Sequence, residues 1–406
     1  MKYVIIGVGA AGITAAKTIR KERSQDEIVM LSADDMVYSR CMLHKFIGGE
    51  RDVTELSFIQ PDFFKDNRIT WRKNVTVTGV DTAKKSVIFN GGSESYDTLL
   101  IATGGKSIFP PIEGLKEAST VYGLRDFSDA KAIRDKAASA KNIVVIGAGL
   151  VGLDATYGLI EMGKKPVVID FAETLLSANL DANAASVYQS KFEEAGCVFK
   201  LGRKVSSVHW NKDETVSAVT MDNGEKLPCD LLIVAAGIRP AIGFLTNSNI
   251  ACKGGITVNE YMATSVEGVF AAGDVAGLSQ SWPAAVKQGE TAGFNMCGIV
   301  TKYDEILSLK NTVNFFGIHS LSVGQFLPKE GDVTYSREDR KVYNKLIVRD
   351  GIPVGVILQG DISRSGFWQQ LIINKINITS IPKPVWKVSF ADSYSIDDNG
   401  EYKWVV

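Results

Sequence analysis

The chain carries one glycine-rich pattern twice, and this repeat constrains its fold more than any other feature. The first copy, VIIGVGAAG, runs from Val4 to Gly12, and the second, VVIGAGLVG, runs from Val144 to Gly152. In each copy an apolar run leads into G-x-G-x-x-G, and a helix-forming segment and another apolar run follow. Each copy therefore predicts a strand, a tight turn, a helix and a second, parallel strand.

Each glycine of such a turn has its own physical reason. The first permits the tight turn, the second lets the backbone approach a pyrophosphate, and the third lets the helix pack on the strand. The phosphates then meet free N–H groups at the start of the helix. Two sets of glycines match these roles: Gly7, Gly9 and Gly12, and Gly147, Gly149 and Gly152.

An acidic residue follows each copy at the distance expected of a ribose ligand. Asp34 and Asp170 lie roughly 20 residues beyond the last glycine of their copies. Asp34 could instead be a solvated loop acid, and Ser32 competes with it for the ribose. Asp170 is followed by Phe171 and Ala172 rather than by Arg or Lys, so its carboxylate would repel the 2′-phosphate of NADPH. The repeat predicts two bound dinucleotides, and the second copy favours NADH over NADPH.

Two further segments identify the dinucleotides by resemblance. SYDTLLIATGGKSIFPPIEG spans residues 95–114, and TSVEGVFAAGDVAG spans residues 264–277. With both glycine motifs, they make the chain similar over essentially its whole length to the FAD-dependent pyridine nucleotide-disulfide oxidoreductase superfamily. There the first glycine motif and the G-D segment hold FAD, and the second motif holds NAD(P)H.

The resemblance implies an α/β fold with two Rossmann-like dinucleotide-binding domains, the NAD domain inserted in the FAD domain, and a C-terminal α+β domain. It places the FAD domain at residues 1–110 and 245–310, the NAD(H) domain at 111–244, and the rubredoxin reductase-like C-terminal domain at 311–406. It also implies a set of FAD-binding residues: Gly7, Gly9, Gly12, Asp34, Arg40, Thr103, Gly104, Asp274 and Trp282. For NAD(H), the corresponding residues are Gly147, Gly149, Gly152 and Asp170.

SWPAAVKQGETAGFNMCG, residues 281–298, predicts a helix with Pro283 in its first turn. The resemblance places this N-terminus, with Trp282, at one edge of the flavin, where the helix dipole would stabilise negative charge on the reduced ring. An ordinary core helix with a proline start is the alternative.

VYSRCMLHKFIGG, residues 37–49, holds the most informative cysteine, Cys41. Gly48 and Gly49 suit a helix end, so we expect a short helix to start near Cys41. Two branches of the superfamily resemble this stretch. The ferredoxin and rubredoxin reductases carry Y-x-R-P-x-L-x-K, with Cys41 at the proline and Lys45 at the lysine. The NADH oxidases and coenzyme A-disulfide reductases carry a redox cysteine at Cys41.

Lys45 favours the electron-transfer reductases. The resemblance implies that Lys45 lies near flavin N5 and pairs with Asp154, the acid just after the second glycine motif. Both could instead be surface residues on unrelated helices. A thiolate at Cys41 would have a lowered pKa at a helix start and could exchange with disulfides or persulfides. A small structural residue in place of proline is the reading we favour. The candidate catalytic residues are Lys45, Asp154 and Cys41.

The last 95 or so residues form an ordinary domain-sized unit. They predict a hairpin at Asp350–Gly351 and a helix near GFWQQLIINKI, and they resemble the C-terminal domain of NADH:rubredoxin reductases. Residues 362–391 contain four basic residues and no acidic one, namely Arg364, Lys375, Lys383 and Lys387. With Phe367 and Trp368 nearby, this stretch could dock an acidic carrier, or it is a solvated face.

Composition excludes several other classes. The 406 residues carry a net charge of −1, which argues against a nucleic-acid or anionic-membrane partner. No apolar run reaches the roughly 20 residues of a membrane span, and the first residues read as a buried strand rather than a signal peptide. Five scattered cysteines and three separated histidines predict no metal site and a reducing, cytoplasmic location.

The sequence thus predicts an FAD-dependent oxidoreductase that exchanges hydride with NADH and electrons with a small iron–sulfur carrier of the rubredoxin or ferredoxin type. One alternative is an NADH oxidase or a coenzyme A-disulfide or persulfide reductase that uses Cys41. The other is a flavoprotein subunit of a larger electron-transfer complex. The sequence leaves open the direction of electron flow and whether the protein is a monomer or a dimer.

Overall fold

The computed structural model describes residues 1–304, 310–339 and 342–404. Two compact units divide the chain. The first contains Met1–Gly147, Val151–Ile169 and Lys204–Ser308, and the second contains Ala148–Leu150, Asp170–Arg203 and Leu309–Val406. The predicted domain boundaries stay predictions, because this division joins both predicted nucleotide-binding sheets in one unit.

The helices include those predicted after each glycine motif, near Cys41, in residues 281–298 and near GFWQQLIINKI. They are α1 (Ala10–Glu22), α2 (Leu43–Ile47), α3 (Phe63–Asp66), α4 (Phe127–Ser139), α5 (Leu150–Glu161), α6 (Ala182–Glu194), α7 (Trp282–Met296) and α8 (Ser365–Ile373). Short 3₁₀ turns lie at Arg40–Met42, Thr54–Leu56, Gly243–Leu245, Asp274–Ala276, Val385–Lys387 and Phe390–Asp392. Among the helices described, none combines the length and apolar character needed to cross a bilayer.

The strands of the first unit come from most of its length. They are β1 (Lys2–Ile6), β2 (Glu27–Leu31), β3 (Ile69–Arg72), β4 (Val77–Asp81), β5 (Ser86–Phe89), β6 (Gly92–Ser95), β7 (Thr98–Ile101), β8 (Gly105–Ser107), β9 (Val121–Tyr122), β10 (Ile143–Ile146), β11 (Val167–Asp170), β13 (Val205–Trp210), β14 (Val216–Met221), β15 (Lys226–Pro228), β16 (Leu231–Val234), β17 (Ile238–Pro240) and β18 (Val269–Ala271). Only the last residue of β11 belongs to the second unit.

Most described strands of the second unit lie in its third chain segment, and only β12 lies in the second. They are β12 (Val198–Leu201), β19 (Lys310–Phe315), β20 (Ile318–Gly324), β21 (Val333–Asp339), β22 (Val342–Arg349), β23 (Ile352–Gln359), β24 (Tyr394–Ile396) and β25 (Tyr402–Trp404).

The first glycine motif lies in a parallel sheet with the order β18-β7-β1-β2-β3. Strands β1 and β2 are almost wholly buried because their residues are apolar on both faces, as in parallel sheets covered by helices. Helices α1 and α7 pack closely because Gly289 of α7 has no side chain. A Cβ at this position would lie only 2.2 Å from the Ala11 carbonyl oxygen of α1. Strand β18 joins this sheet from much later in the chain. The predicted discontinuous α/β arrangement is confirmed.

The second glycine motif follows strand β10 of another parallel sheet. Within the first unit its strands run in the order β11-β10-β16-β9. An antiparallel sheet, β13-β14-β15, follows in sequence before β16. Since all these strands lie between β7 and β18 in the chain, the second nucleotide fold interrupts the first, as the sequence predicted.

The second unit contains an antiparallel sheet with the order β19-β20-β23-β22-β21. Helix α8 packs against it through fully buried Trp368 and Leu371. The predicted hairpin is confirmed, because Asp350 (φ 51°) and Gly351 (φ 82°) link β22 to β23 in the left-handed conformation. Helix α6 belongs to this unit, and its Tyr188 hydroxyl donates a hydrogen bond of 2.8 Å to Ser320 Oγ.

The docking interpretation of residues 362–391 stays a prediction, and the structure shows which of its residues have partners within the fold. Arg364 is half-buried and donates hydrogen bonds to the carbonyl oxygens of Trp386 and Val388. Phe367 and Trp368 are buried, and Lys383 pairs with the Asp392 carboxylate. Arg364, Phe367 and Trp368 therefore have structural roles, whereas Lys375, Lys383 and Lys387 are exposed. A linear count of charges could not show these contacts.

The Asp350–Gly351 hairpin tests the role of positive φ in the second unit. A Cβ on Gly351 would lie 2.6 Å from Asn377 Oδ1 and 2.8 Å from Thr379 Oγ1, two side chains that hydrogen-bond each other. We expect Gly351→Ala to lower the free energy of unfolding by about 2–4 kcal/mol, through backbone strain and overpacking. Urea denaturation of the purified protein measures this change.

Gly331→Ala is the matched control. Gly331 also has positive φ (86°) but no atom lies within 4 Å of its Cβ position. Strain alone should then cost about 1–2 kcal/mol. Equal losses in the two variants would contradict the packing role of Gly351.

Candidate active site

The first glycine motif forms a cradle that only glycine allows. Gly7 has φ +112°, and a Cβ there would lie 2.2 Å from the Ala102 carbonyl oxygen. A Cβ on Gly12 would lie 2.1 Å from the Gly7 carbonyl oxygen. Gly9 precedes α1, and its lack of a side chain means that no side-chain group caps the helix. The uncapped N–H groups at the start of α1 therefore border a pocket.

This pocket has a volume of about 510 Å³ and lies within the first unit. It brings together most residues that the resemblance implied for FAD, from segments far apart in sequence. Those that line it are Gly7, Gly9, Asp34, Arg40, Thr103, Gly104, Asp274 and Trp282. Gly12 instead packs behind the turn, where it lets α1 approach β1.

A charged cluster lies beside Gly9. Arg40 Nη2 is 3.3 Å from Asp34 Oδ2 and 3.2 Å from Asp126 Oδ1, and its Nη1 is 3.6 Å from the Cβ position of Gly9. The Tyr38 hydroxyl donates to Asp34 Oδ1 at 3.2 Å. Burial and then Asp126 raise the pKa of Asp34, while Arg40 and Tyr38 act in the opposite direction. The guanidinium thus balances two carboxylates next to an open backbone turn.

Ser32, the competitor of Asp34, has its hydroxyl committed elsewhere. It donates to the Asp34 carbonyl oxygen at 2.6 Å and accepts a hydrogen bond of 2.9 Å from Trp71 Nε1. Ser32 shapes the loop that presents Asp34, which leaves Asp34 as the better candidate ribose ligand.

Arg125 is a pocket residue that the sequence analysis missed. Its Nη2 lies 2.7 Å from Asp274 Oδ2, and its Nε donates to the Gly105 carbonyl oxygen at 3.1 Å. Thr103 Oγ1 donates to the Ala241 carbonyl oxygen at 3.0 Å. No sequence motif includes Arg125, because its partner, Asp274, lies 149 residues later in the chain. The sequence analysis also missed Asp126, the next residue. Asp126 is the N-cap of α4, and the sequence gives no sign that it also contacts Arg40.

The start of α7 forms another wall of the pocket. Ser281 caps the helix by accepting a hydrogen bond of 3.3 Å from the Ala284 N–H, and Pro283 occupies the first turn as predicted. Trp282 is held by Phe58, since the two rings meet edge to face at 4.8 Å between centroids. A 15-residue helix therefore directs its positive end at the pocket.

Cys41 also borders the pocket, in the 3₁₀ turn that precedes α2. It is exposed at the pocket surface, yet the protein that surrounds it on the other sides raises the pKa of its thiol, and the Asp154 carboxyl adds to this. A redox-active thiolate at Cys41 would require a lowered pKa instead. The structure therefore gives no support to an activated Cys41.

The predicted Lys45–Asp154 pair is not formed. Lys45 Nζ lies 2.5 Å from Glu50 Oε1, and Asp154 Oδ1 lies 3.4 Å from His44 Nδ1. Burial lowers the pKa of His44 to about 4 and raises that of Asp154 to about 8, although 26% of the Asp154 side chain stays accessible. The sequence analysis identified Asp154 but missed His44, which neighbours the lysine on α2.

The second glycine motif repeats the constraints of the first. Gly147 has φ +108°, and its Cβ position is 2.4 Å from the Ala235 carbonyl oxygen. A Cβ on Gly152 would lie 1.9 Å from the Gly147 carbonyl oxygen, whereas Gly149 has no atom within 4 Å of its Cβ position. Gly149 is therefore free of packing and open to a ligand.

In the second unit, the Asp170 carboxylate is fixed by two backbone groups. The Ala148 N–H donates to Oδ2 at 2.5 Å and the Ala172 N–H donates to Oδ1 at 2.8 Å. Each oxygen keeps a second lone pair for a ribose hydroxyl.

These features fit dinucleotides. A diphosphate suits the uncapped start of α1 beside the Arg40 guanidinium, and ribose hydroxyls suit Asp34. The pocket volume is in the range of cofactor sites. A Cβ on Gly7 would collide with the Ala102 carbonyl oxygen, so the turn that borders the pocket requires glycine there. Among the residues of the described ranges, no group of His, Cys, Asp or Glu is arranged to hold a metal ion.

Comparisons with known proteins agree with this chemistry. The family model described as pyridine nucleotide-disulphide oxidoreductase matches residues 1–289, and that of the rubredoxin NAD+ reductase C-terminal domain matches residues 310–376. The chain is 30% identical to the epsilon subunit of an NADH-dependent phenylglyoxylate dehydrogenase of Aromatoleum evansii, with 94% of this chain and 93% of that one covered.

Two other proteins are similar over most of the chain. An NADH-rubredoxin oxidoreductase of Clostridium acetobutylicum is 27% identical, covering 89% of this chain and 92% of its own. The solved structure of an NAD-dependent persulfide reductase from A. fulgidus is 27% identical with a TM-score of 0.83, covering 94% of this chain and 78% of its own. The chain spans about half the length (48%) of two further relatives.

The match of the family model to most of the chain, on a structure with two glycine cradles, shows the family directly. The predictions of fold class, oxidoreductase activity and cofactors FAD and NAD(H) are confirmed. The chain belongs to the pyridine nucleotide-disulphide oxidoreductase family.

Proposed function

We propose that this enzyme exchanges electrons between NADH and a small iron–sulfur carrier of the rubredoxin or ferredoxin type, through FAD. The single observation that carries the proposal is the C-terminal domain. Residues 310–376 match the rubredoxin NAD+ reductase C-terminal domain, next to a nucleotide-binding region shared by the whole family. A relative of nearly the same length is named as an NADH-rubredoxin oxidoreductase.

The pocket of the first unit is the proposed FAD site. The turn at Gly7 and Gly9, with Arg40, would hold the diphosphate, and Asp34 would accept hydrogen bonds from the adenosine ribose. Asp274, held by Arg125, would bond the ribityl chain near Thr103 and Gly104.

The flavin would lie toward the start of α7. When bound, FAD accepts a hydride from NADH and releases electrons singly, which nicotinamide alone does not do. Trp282 and the first N–H groups of α7 would favour negative charge at that end of the pocket. The edge-to-face contact of Trp282 with Phe58 helps to keep this wall fixed.

NADH is the proposed nicotinamide partner. Asp170 would accept hydrogen bonds from the adenosine ribose of NADH and repel the phosphate of NADPH. Its support is geometric, because two backbone N–H groups orient the carboxylate beside the open Gly149 turn.

A persulfide or disulfide reductase is the second candidate. Cys41 lines the pocket, and the chain is similar to a persulfide reductase throughout. The raised pKa of Cys41 weighs against this candidate, since a thiolate is the reactive form.

The third candidate is a flavoprotein subunit that delivers electrons within a larger complex. It is supported by a relative that matches 94% of this chain and is named as a subunit of an NADH-dependent phenylglyoxylate dehydrogenase. Both this candidate and the main proposal need the same FAD and NADH sites. They differ in whether the electron partner is a free carrier or another subunit.

An acceptor panel tests the main proposal. The purified holoenzyme should reduce rubredoxin or ferredoxin with NADH faster than it reduces coenzyme A disulfide, a persulfide or oxygen. Cys41→Ser should keep the rate with the carrier within about twofold, because the thiol is not activated. Stopped-flow absorbance of the carrier measures the rate.

Cys252→Ser is the matched control, since Cys252 is another exposed free cysteine but does not line the pocket. Loss of carrier reduction in Cys41→Ser alone would support the thiol mechanism. NADH oxidation with an artificial dye but with no free carrier would favour the subunit candidate.

Asp170→Asn tests nicotinamide choice. The variant keeps the side-chain shape but loses charge-assisted hydrogen bonds, so kcat/KM for NADH should fall about ten- to a hundredfold. The value for NADPH should rise, because the repulsion of its phosphate is removed. Asp213→Asn, in an exposed turn, should change neither value. Unchanged selectivity in an Asp170→Asn protein with normal FAD content would remove Asp170 from the site.

A further inference from the structure

Helices α2 and α5 approach each other through two glycines. A Cβ on Gly158 of α5 would lie 2.6 Å from the His44 carbonyl oxygen. A Cβ on Gly48, just after α2, would lie 2.9 Å from Glu161 Cβ. With no side chain at either position, the backbone of α2 lies directly against α5.

This approach decides which side chain of α2 meets Asp154. His44 is directed at α5, where only 11% of its side chain is exposed and its Nδ1 lies 3.4 Å from Asp154 Oδ1. Lys45, the next residue, is directed away and pairs with Glu50. The His44 Nδ1 atom is buried and has no hydrogen-bond partner in the structure, so an acceptor is available beside the carboxyl group.

The groups that face His44 come from every neighbouring segment. Lys45 and Arg51 lower its pKa further, and Glu50 and the Cys41 carbonyl oxygen act in the opposite direction. From α5, the Tyr157 ring meets the imidazole edge to face at 6.3 Å between centroids. Burial is the largest cause for both His44 and Asp154, and it disfavours charge on each.

We propose that His44 and Asp154 share one proton between Nδ1 and Oδ1, and that this uncharged pair replaces a Lys45–Asp154 ion pair at the Cys41 edge of the FAD pocket. Asp154 is the donor through its carboxyl O–H, and neutral His44 is the acceptor. The inference rests on the proposed function, because it concerns the same pocket and its change of charge.

The pair can respond to charge in the pocket. Cys41 lines the pocket, and the Asp154 charge is close enough to raise the pKa of the Cys41 thiol. Negative charge gained by the pocket must in turn raise the pKa of Asp154, since the coupling is mutual. At a pH where Asp154 is partly ionised, reduction then draws a fraction of one proton, equal to the ionised fraction at most, from solvent onto Oδ1, and oxidation releases it. His44 is a positioning residue that holds the carboxyl group in its neutral form.

Infrared spectroscopy of the holoenzyme tests the shared proton. Wild-type protein should show a carboxylic-acid carbonyl band that disappears as the pH rises through about 8, following the raised pKa of Asp154. Asp154→Asn should lack this band. Lys45→Gln should keep it with the same midpoint, because Lys45 is bonded to Glu50.

His44 has two diagnostic variants. His44→Ala should lower the midpoint by about one pH unit or more, since the neutral acid loses its acceptor and gains water. His44→Asn, which offers an amide oxygen, should restore part of the shift. A band absent from wild type at every pH, or a midpoint moved by Lys45→Gln but not by His44→Ala, would overturn the proposal.

The midpoint potential of bound FAD gives a second readout that a structural role would not change. Its dependence on pH should be steeper in the wild type than in Asp154→Asn between about pH 7 and 9. Equal slopes would overturn the coupling to the pocket. Failure of carrier reduction with a titrating band would sink the proposed function alone, whereas carrier reduction without the band would sink this inference alone.

Discussion

Two glycine turns, each pressed against the end of a neighbouring strand, are the constraint on which the structure depends. At Gly7 and Gly147 a Cβ would lie 2.2 and 2.4 Å from a carbonyl oxygen of the residue that follows the neighbouring strand in the sheet. The third glycines of the two motifs are as tightly enclosed by their own turns. Because no side chain fits, each helix begins close to the strand end, and the N–H groups at the start of α1 border the pocket proposed for FAD. The close approach of α1 to β1 and the position of the pocket follow from this contact.

The local nature of that contact explains what could be predicted from the sequence. A strand, turn and helix are contiguous in the chain, so the pattern of glycines and apolar runs contains nearly all the information. The ion pairs that line the pocket are different. Arg125 meets Asp274 across 149 residues, and Arg40 meets Asp126 across 86 residues. Asp126 also begins α4 as its N-cap, a role that accounts for the residue without any reference to a ligand. Only the folded chain shows these second roles.

Lys45 shows a subtler limit. The motif pointed to Lys45 on the five-residue helix α2 and to Asp154, whereas the residue of α2 that meets Asp154 in the structure is His44. Adjacent residues on a helix point about 100° apart, so the orientation of α2 decides whether position 44 or 45 meets α5. That orientation depends on contact between Gly48 and α5 and between Gly158 and α2, which lie far from each other in sequence. Spacing between motifs carries no information on such a rotation.

The exchange of partners changes the electrostatics of the pocket. A lysine–carboxylate pair would bring two charges into a partly buried place, and its desolvation cost would offset much of the attraction. An imidazole and a carboxylic acid cost less to bury, because neither is charged. Arg40 and Arg125 already face carboxylates, so their charge is largely balanced within the pocket. A group that gains or loses a proton can follow a change of charge that fixed ion pairs cannot. Lys45 meanwhile lowers the pKa of Glu50 in the turn after α2, where it stabilises the segment that holds His44 in place.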